Sequence, residues 1–189
     1  MKRRLSTAFA LILVLIIAAG CGGGKKYEYS ELSLSFYAPK EAVITESASA
    51  LTVKLSDNLT ALVSVSDASE YVGEEYIGLD KSELNIQSGA FNGNLNNLGY
   101  VSVMFNYLFE DSLRHYTVCA LTQTTFSEEG YHAYRAQFIS EEDDLNGFIY
   151  MTVQNATCYI FCFYIESKII DIFDYTSVME EFLSSVKIG

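Results

Sequence analysis

The sequence predicts an α+β domain in which an antiparallel β-sheet is flanked by helices. Several strand-length runs alternate apolar and polar residues, and short loops of Asp, Asn, Ser, Glu and Gly separate consecutive runs in the manner of hairpins. The C-terminal stretch then switches to apolar spacings of three and four, the period of a helix. Half of the 189 residues are hydrophobic and 14% are aromatic, which opposes disorder. A chain of this length buries roughly 70% of the surface that its unfolded form exposes and needs no staple to fold.

Taken in order, residues 27–37 read as a first strand, with Leu32, Leu34 and Phe36 alternating with serines until Pro39 ends it. Leu51, Val53 and Leu55 alternate next; Asp57-Asn58 supplies turn chemistry, and Ala61, Val63 and Val65 complete a hairpin. Beyond Ser66-Asp67 the period changes. Tyr71, Val72, Glu75, Tyr76 and Leu79, extending to Glu83 and Leu84, suit a helix interrupted by Gly73 and Gly78. Residues 92–97 form the loosest stretch, and the dense apolar run 100–109 is either a helix with Val101, Met104, Phe105 and Leu108 on one face or a further strand. Residues 116–125 and 131–139 read as strands joined by the loop Ser127-Glu128-Glu129-Gly130, and 141–147 as an acidic turn. Residues 148–153 and 158–165 make two more strands around Asn155-Ala156. The second has Cys158, Ile160, Cys162 and Tyr164 on one face and Tyr159, Phe161, Phe163 and Ile165 on the other, so it is expected to be central and covered on both sides. A closing helix follows, with Tyr175, Val178, Met179, Phe182, Leu183 and Val186 as its buried stripe and Asp171 or Asp174 as its cap.

The N-terminus carries an address. Lys2, Arg3 and Arg4 precede an apolar run over residues 8–19, and Ile17-Ala18-Ala19-Gly20-Cys21 resembles a bacterial lipobox. The run falls short of the roughly 20 residues of a spanning helix. Cleavage between Gly20 and Cys21 is expected, with Cys21 taking the lipid. The expected organisation is a signal peptide over 1–20, a lipidated N-terminus and flexible linker over 21–26, and one domain over 27–189. Two acyl chains hold a protein stably to a bilayer where one does so weakly, at roughly ten thousand per molar. The expected location is the extracytoplasmic face of the cell membrane, with Lys25 and Lys26 placed to meet anionic headgroups.

With 12 basic and 24 acidic residues the net charge is −12, and loss of Lys2, Arg3 and Arg4 leaves 9 against 24, or −15. Such a charge repels nucleic acid, which is not an expected partner. Three further cysteines, Cys119, Cys158 and Cys162, sit in strand-like sequence. They read as buried thiols, with a disulfide from Cys119 to Cys158 or Cys162 across neighbouring strands as the alternative.

Reactive constellations are sparse. His115 and His132 are the two histidines and do not stand at ligand spacing; no Cys-x-x-Cys and no Gly-x-Ser-x-Gly occurs. Ser184-Ser185-Val186-Lys187 satisfies Ser-x-x-Lys without companion motifs. Among Glu141, Glu142, Asp143 and Asp144, the run Glu142, Asp144, Asn146, Gly147 mimics the opening of a calcium loop, but its twelfth position is Val153 and a strand begins where a helix should. A solvated turn is the expectation, with no catalytic residues, cofactor or metal.

In their order, a first strand ending Phe36-Tyr37-Ala38-Pro39, two hairpin strands, a middle helical region, and a meander over 131–165 feeding a helix that ends Leu183-Ser184-Ser185-Val186-Lys187-Ile188 resemble the PsbP and Mog1 superfamily. The resemblance spans nearly all of the mature chain and implies an antiparallel sheet sandwiched by helices. Lys40-Glu41-Ala42 stands where such domains often carry tryptophan. The superfamily includes an extrinsic photosystem subunit, a factor that binds a nuclear transport GTPase, and many exported bacterial lipoproteins, and no functional residue carries over from it. The expected role is a non-catalytic protein-interaction module tethered at the cell envelope. The alternative is a small-ligand-binding lipoprotein with Tyr131, Tyr134 and Tyr150 lining a pocket between sheet and helices.

Overall fold

The structure is a computed structural model that describes residues 24–67, 116–140, 144–154, 157–167 and 170–189, with the backbone alone at 119–121. Its elements are β1 (Lys25–Tyr29), a 3₁₀ turn (Ser30–Leu32), β2 (Leu34–Ala38), β3 (Val43–Glu46), β4 (Ala50–Lys54), β5 (Thr60–Asp67), β6 (Thr117–Phe126), β7 (Tyr131–Ser140), β8 (Leu145–Gln154), β9 (Thr157–Glu166), a second 3₁₀ turn (Ile172–Tyr175), α1 (Thr176–Ser184) and β10 (Lys187–Ile188). Every pairing is antiparallel. Among the described residues seven strands form the main sheet in the order β3-β4-β5-β9-β8-β7-β6, and β1-β2-β10 form a small second sheet.

The main sheet is organised by rows of apolar side chains that continue from strand to strand. Val53, Ala61, Phe163 and Phe148 stand side by side across β4, β5, β9 and β8, and Leu51, Val63, Phe161 and Tyr150 form the next row. These rows meet Leu34 and Phe36 of the small sheet and Met179, Phe182 and Leu183 of α1 in one buried cluster. On the opposite face Ile160, Met151 and Tyr134 form a row, as do Cys162, Ile149 and Ala136. All of these but Cys162 are buried. The strand 158–165 is therefore central and apolar on both sides, as its sequence requires.

Several expectations are corrected. The first strand is two: Ser30-Glu31-Leu32 turns, Ser33 takes a left-handed φ of 48°, and β1 folds back on β2 with Tyr27 opposite Phe36. Ser33, read as part of an alternation, supplies turn chemistry instead, while Ser35 keeps its alternating place between buried Leu34 and Phe36 in β2. Lys25 and Lys26 belong to β1, so paired strand begins before residue 27. Strands β3 and β10 were not anticipated; β3 is a mostly exposed edge, and β10 has two residues. The fold is sheet-dominated and not a sheet flanked by helices: among the described residues α1 is the one α-helix, and the small sheet shares the covering of the first face with it. The helical readings over 71–84 and 100–109 lie outside the described residues.

The junction between β9 and α1 is pinned from β8. Asn146 donates to Ser167 O at 3.0 Å and Ile170 O at 3.4 Å, and its Oδ1 accepts from Ile172 N at 3.2 Å. Asp171 caps the 3₁₀ turn by accepting from Phe173 N at 3.0 Å. Strand β10 returns to pair with β2, and Tyr131 Oη donates to Ile188 O at 3.1 Å.

Candidate functional site

A groove of about 460 Å³ opens where the small sheet hands the chain to the main sheet. After β2, Pro39 accepts from Ala42 N–H at 2.9 Å in a turn that carries the chain over to β3. That turn forms one wall, and the C-terminal half of α1 forms the other. Ser185 Oγ joins them, accepting from Tyr37 N–H at 2.9 Å and donating to Phe182 O at 2.7 Å. Phe182, Val178, Leu55 and Ala38 make the lining apolar, while Lys40, Glu41 and Glu181 add charge. Gly24 closes the near end: a Cβ there would stand 3.1 Å from Ala38 O, so this glycine lets β1 start tight against β2. Tyr37 is 49% exposed beside the groove. A concave apolar floor with charges of both signs suits an amphipathic group, and its lining holds neither histidine nor cysteine.

The residues singled out from sequence do not converge on this groove. Tyr131 and Tyr150 both contact Phe126 on the first face, whereas Tyr134 is buried in a row on the opposite face, so the three line no common pocket. Burial raises the Tyr150 phenol above its ordinary range. Ser184 Oγ donates to Glu181 O at 2.8 Å, and Lys187 lies 3.7 Å from Glu129, so the Ser-x-x-Lys pair is separated. Of the calcium-like run, Glu141, Glu142 and Asp143 lie outside the described residues, Asn146 is occupied as a clamp, and Gly147 lies inside β8 instead of in a turn. His132 sits on β7; Gly20, Cys21 and His115 lie outside the described residues.

The cysteines are kept apart by topology. Cys119 pairs in register with Gln137, and β7 and β8 separate its strand from β9. Three strand spacings amount to about 14 Å, whereas a disulfide needs Cα atoms about 6 Å apart. A bond across neighbouring strands is therefore not available to Cys119. Cys158 and Cys162 are thiols on one face of β9. Cys162 is half-buried as a residue, but its sulfur is shielded from water, and this desolvation pushes the thiol up to about 12. Because only the thiolate attacks a disulfide reagent, and the higher nucleophilicity of a basic thiolate recovers part of the loss, Cys162 is expected to react at pH 8 at least about tenfold more slowly in the folded protein than in urea. Site-resolved mass spectrometry of labelling times checks this, and equal rates in the two states would contradict it.

Arg135 was missed by sequence reasoning. Its guanidinium lies 4.2 Å from the Phe148 ring centroid and 5.9 Å from that of Tyr150, and its buried Nε has no hydrogen-bond partner among the described residues. Tyr37 and Phe182 were missed as groove residues because they meet only when α1 packs against β2, far apart in the sequence.

No protein-family model matches the sequence, and no curated protein does. Among solved structures, cyanobacterial PsbP (CyanoP) from Synechocystis sp. PCC 6803 is similar with a TM-score of 0.54 at 11% identity, covering 90% of this chain and 95% of that one. A protein from Bacteroides thetaiotaomicron VPI-5482 is similar over 88% of this chain and 48% of that one, at 15% identity and a TM-score of 0.41, too loose to argue from. The sheet whose first face is closed by a terminal hairpin and a C-terminal helix is therefore a PsbP-like fold, shared at the level of architecture.

Proposed function

We propose that this chain is an extracytoplasmic lipoprotein, tethered to the cell membrane through Cys21, whose domain is a non-catalytic interaction module at the cell envelope. The observation that carries the reading is the order of Lys2, Arg3 and Arg4, the apolar run and Ala18-Ala19-Gly20-Cys21, followed after three residues by a packed Gly24. A folded body set so close to a lipidated cysteine is held at the bilayer surface and is free to present its sheet edges and loops. With a PsbP-like fold and acidic composition, it offers protein contacts in place of nucleic-acid ones. Radiolabelled fatty acid is expected to appear in the wild-type chain and to be absent from Cys21→Ala, whose leader should also stay uncleaved; equal label in both would end the proposal.

A second reading is favoured by the groove. At about 460 Å³ it is within the size range of small-molecule sites, and its floor is apolar. Under this reading the tethered domain binds a small amphipathic ligand there. An environment-sensitive apolar dye should then be displaced from the wild type by that ligand class and should bind Val178→Glu poorly; identical dye binding by the two proteins would remove this reading.

A further inference from the structure

Building on the tether at Cys21, we propose that the groove end of the domain is a bilayer-docking surface that takes anionic phospholipid headgroups. Three residues reach no further than about 11 Å. Gly24 belongs to the groove lining, so that edge of the groove lies within about 11 Å of the Cys21 backbone, whose side chain would carry the thioether-linked glyceryl group.

Charge placement agrees with this geometry. The described residues include six lysines and arginines, and four of them gather at this end. Lys25 follows Gly24 and stands opposite Ala38, and Lys26 stands opposite Tyr37. Lys40 lines the groove; Lys54 precedes the lining residue Leu55 and stands opposite Val43. The other two are engaged elsewhere, Arg135 over Phe148 and Lys187 with Glu129. Glu28 bonds Lys26, and Glu41 and Glu181 line the groove, which leaves this end near neutral while the whole chain carries −12. That difference orients the domain. An anionic leaflet repels the acidic remainder, and each lysine held within a Debye length of it adds about a fivefold bias. Tyr37, 49% exposed, and Val43, 63% exposed, give the same end an aromatic and an apolar contact for the interface.

The test uses the lipidated mature protein in vesicles of phosphatidylcholine with or without phosphatidylglycerol, with lysine acylation rates read by mass spectrometry. With phosphatidylglycerol present, Lys40 and Lys54 are expected to react about fivefold more slowly than in detergent. Lys187, paired with Ser35 towards the other end of β2, should keep its rate. The double variant Lys40→Glu/Lys54→Glu should still float with the vesicles while Lys25 and Lys26 lose protection. Equal rates at Lys40, Lys54 and Lys187 on floating vesicles, or protection that is the same without phosphatidylglycerol, would overturn the docking surface and leave the tether standing. Wild type that floats no better than Cys21→Ala would overturn both.

Discussion

Gly147→Ala is expected to destabilise the domain by more than about 3 kcal/mol, at or beyond the upper end of what overpacking costs. Gly147 lies in β8 between Phe138 of β7 and Tyr164 of β9. A Cβ placed on it would run into the carbonyl oxygen of Phe163 and come within 2.6 Å of Phe138 Cζ. The oxygen belongs to the backbone of the central strand, which cannot withdraw without disturbing its pairings with β5 and β8. The ring is 4% exposed and has little room to swing. Since a domain of this size is stable by only about 5–15 kcal/mol, a large share of its margin goes with one methyl group. Gly130→Ala is the control. Gly130 has a φ of 71° in the β6–β7 loop with nothing within 4 Å of the added Cβ, so it should cost only the left-handed backbone penalty of about 1–2 kcal/mol. Urea unfolding of both variants checks the order, and a Gly147→Ala midpoint equal to or above that of Gly130→Ala would refute it.

Gly147 also shows where sequence and structure part company. In the sequence it closes an acidic run and reads as a turn residue, because glycine after carboxylates and asparagine is turn chemistry. What it answers to is a close approach between strands, and no local pattern encodes that. The β4–β5 hairpin was legible from period two and its turn residues, and the meander β6–β9 from β-branched and apolar runs set off by polar loops. Residues 158–165 were legible as central because a run apolar on both faces has no other stable place. Signals failed at the edges. Residues 43–46 carry little burial, so β3 leaves little hydrophobic trace. Strand β10 is defined by its partner β2 and not by its own two residues. The groove was illegible for the same reason, since Gly24, Tyr37, Leu55 and Phe182 come from four separate parts of the chain. Asn146, weighed as an oxygen ligand, shows that a polar side chain in a loop-like run can be spent on backbone satisfaction, here of the segment leading into α1.

Phe182→Ala is the other substitution expected to have a large effect, about 3–5 kcal/mol, and its pattern is more informative than its size. Phe182 is 2% exposed, with its ring 4.8 Å from Phe36 and 5.7 Å from Phe163, centroid to centroid. Phe36 in turn stacks on Tyr27 and Tyr29 of β1. One ring on α1 therefore joins the helix, the small sheet and the main sheet. The helix has nine residues, too few to persist in water without such packing. Truncating Phe182 should consequently release α1 and β1-β2-β10 before it weakens β8 and β9, so amide protection should fall first over residues 25–38 and 176–188. Phe182→Leu keeps most of the volume and should cost less than about 1.5 kcal/mol. Because Phe36 and Phe182 touch, Phe36→Ala should cost less in the Phe182→Ala background than in wild type, by about 0.5–3 kcal/mol. Additive losses, or protection that falls evenly across both sheets, would mean that the small sheet is held to the body by something other than this ring.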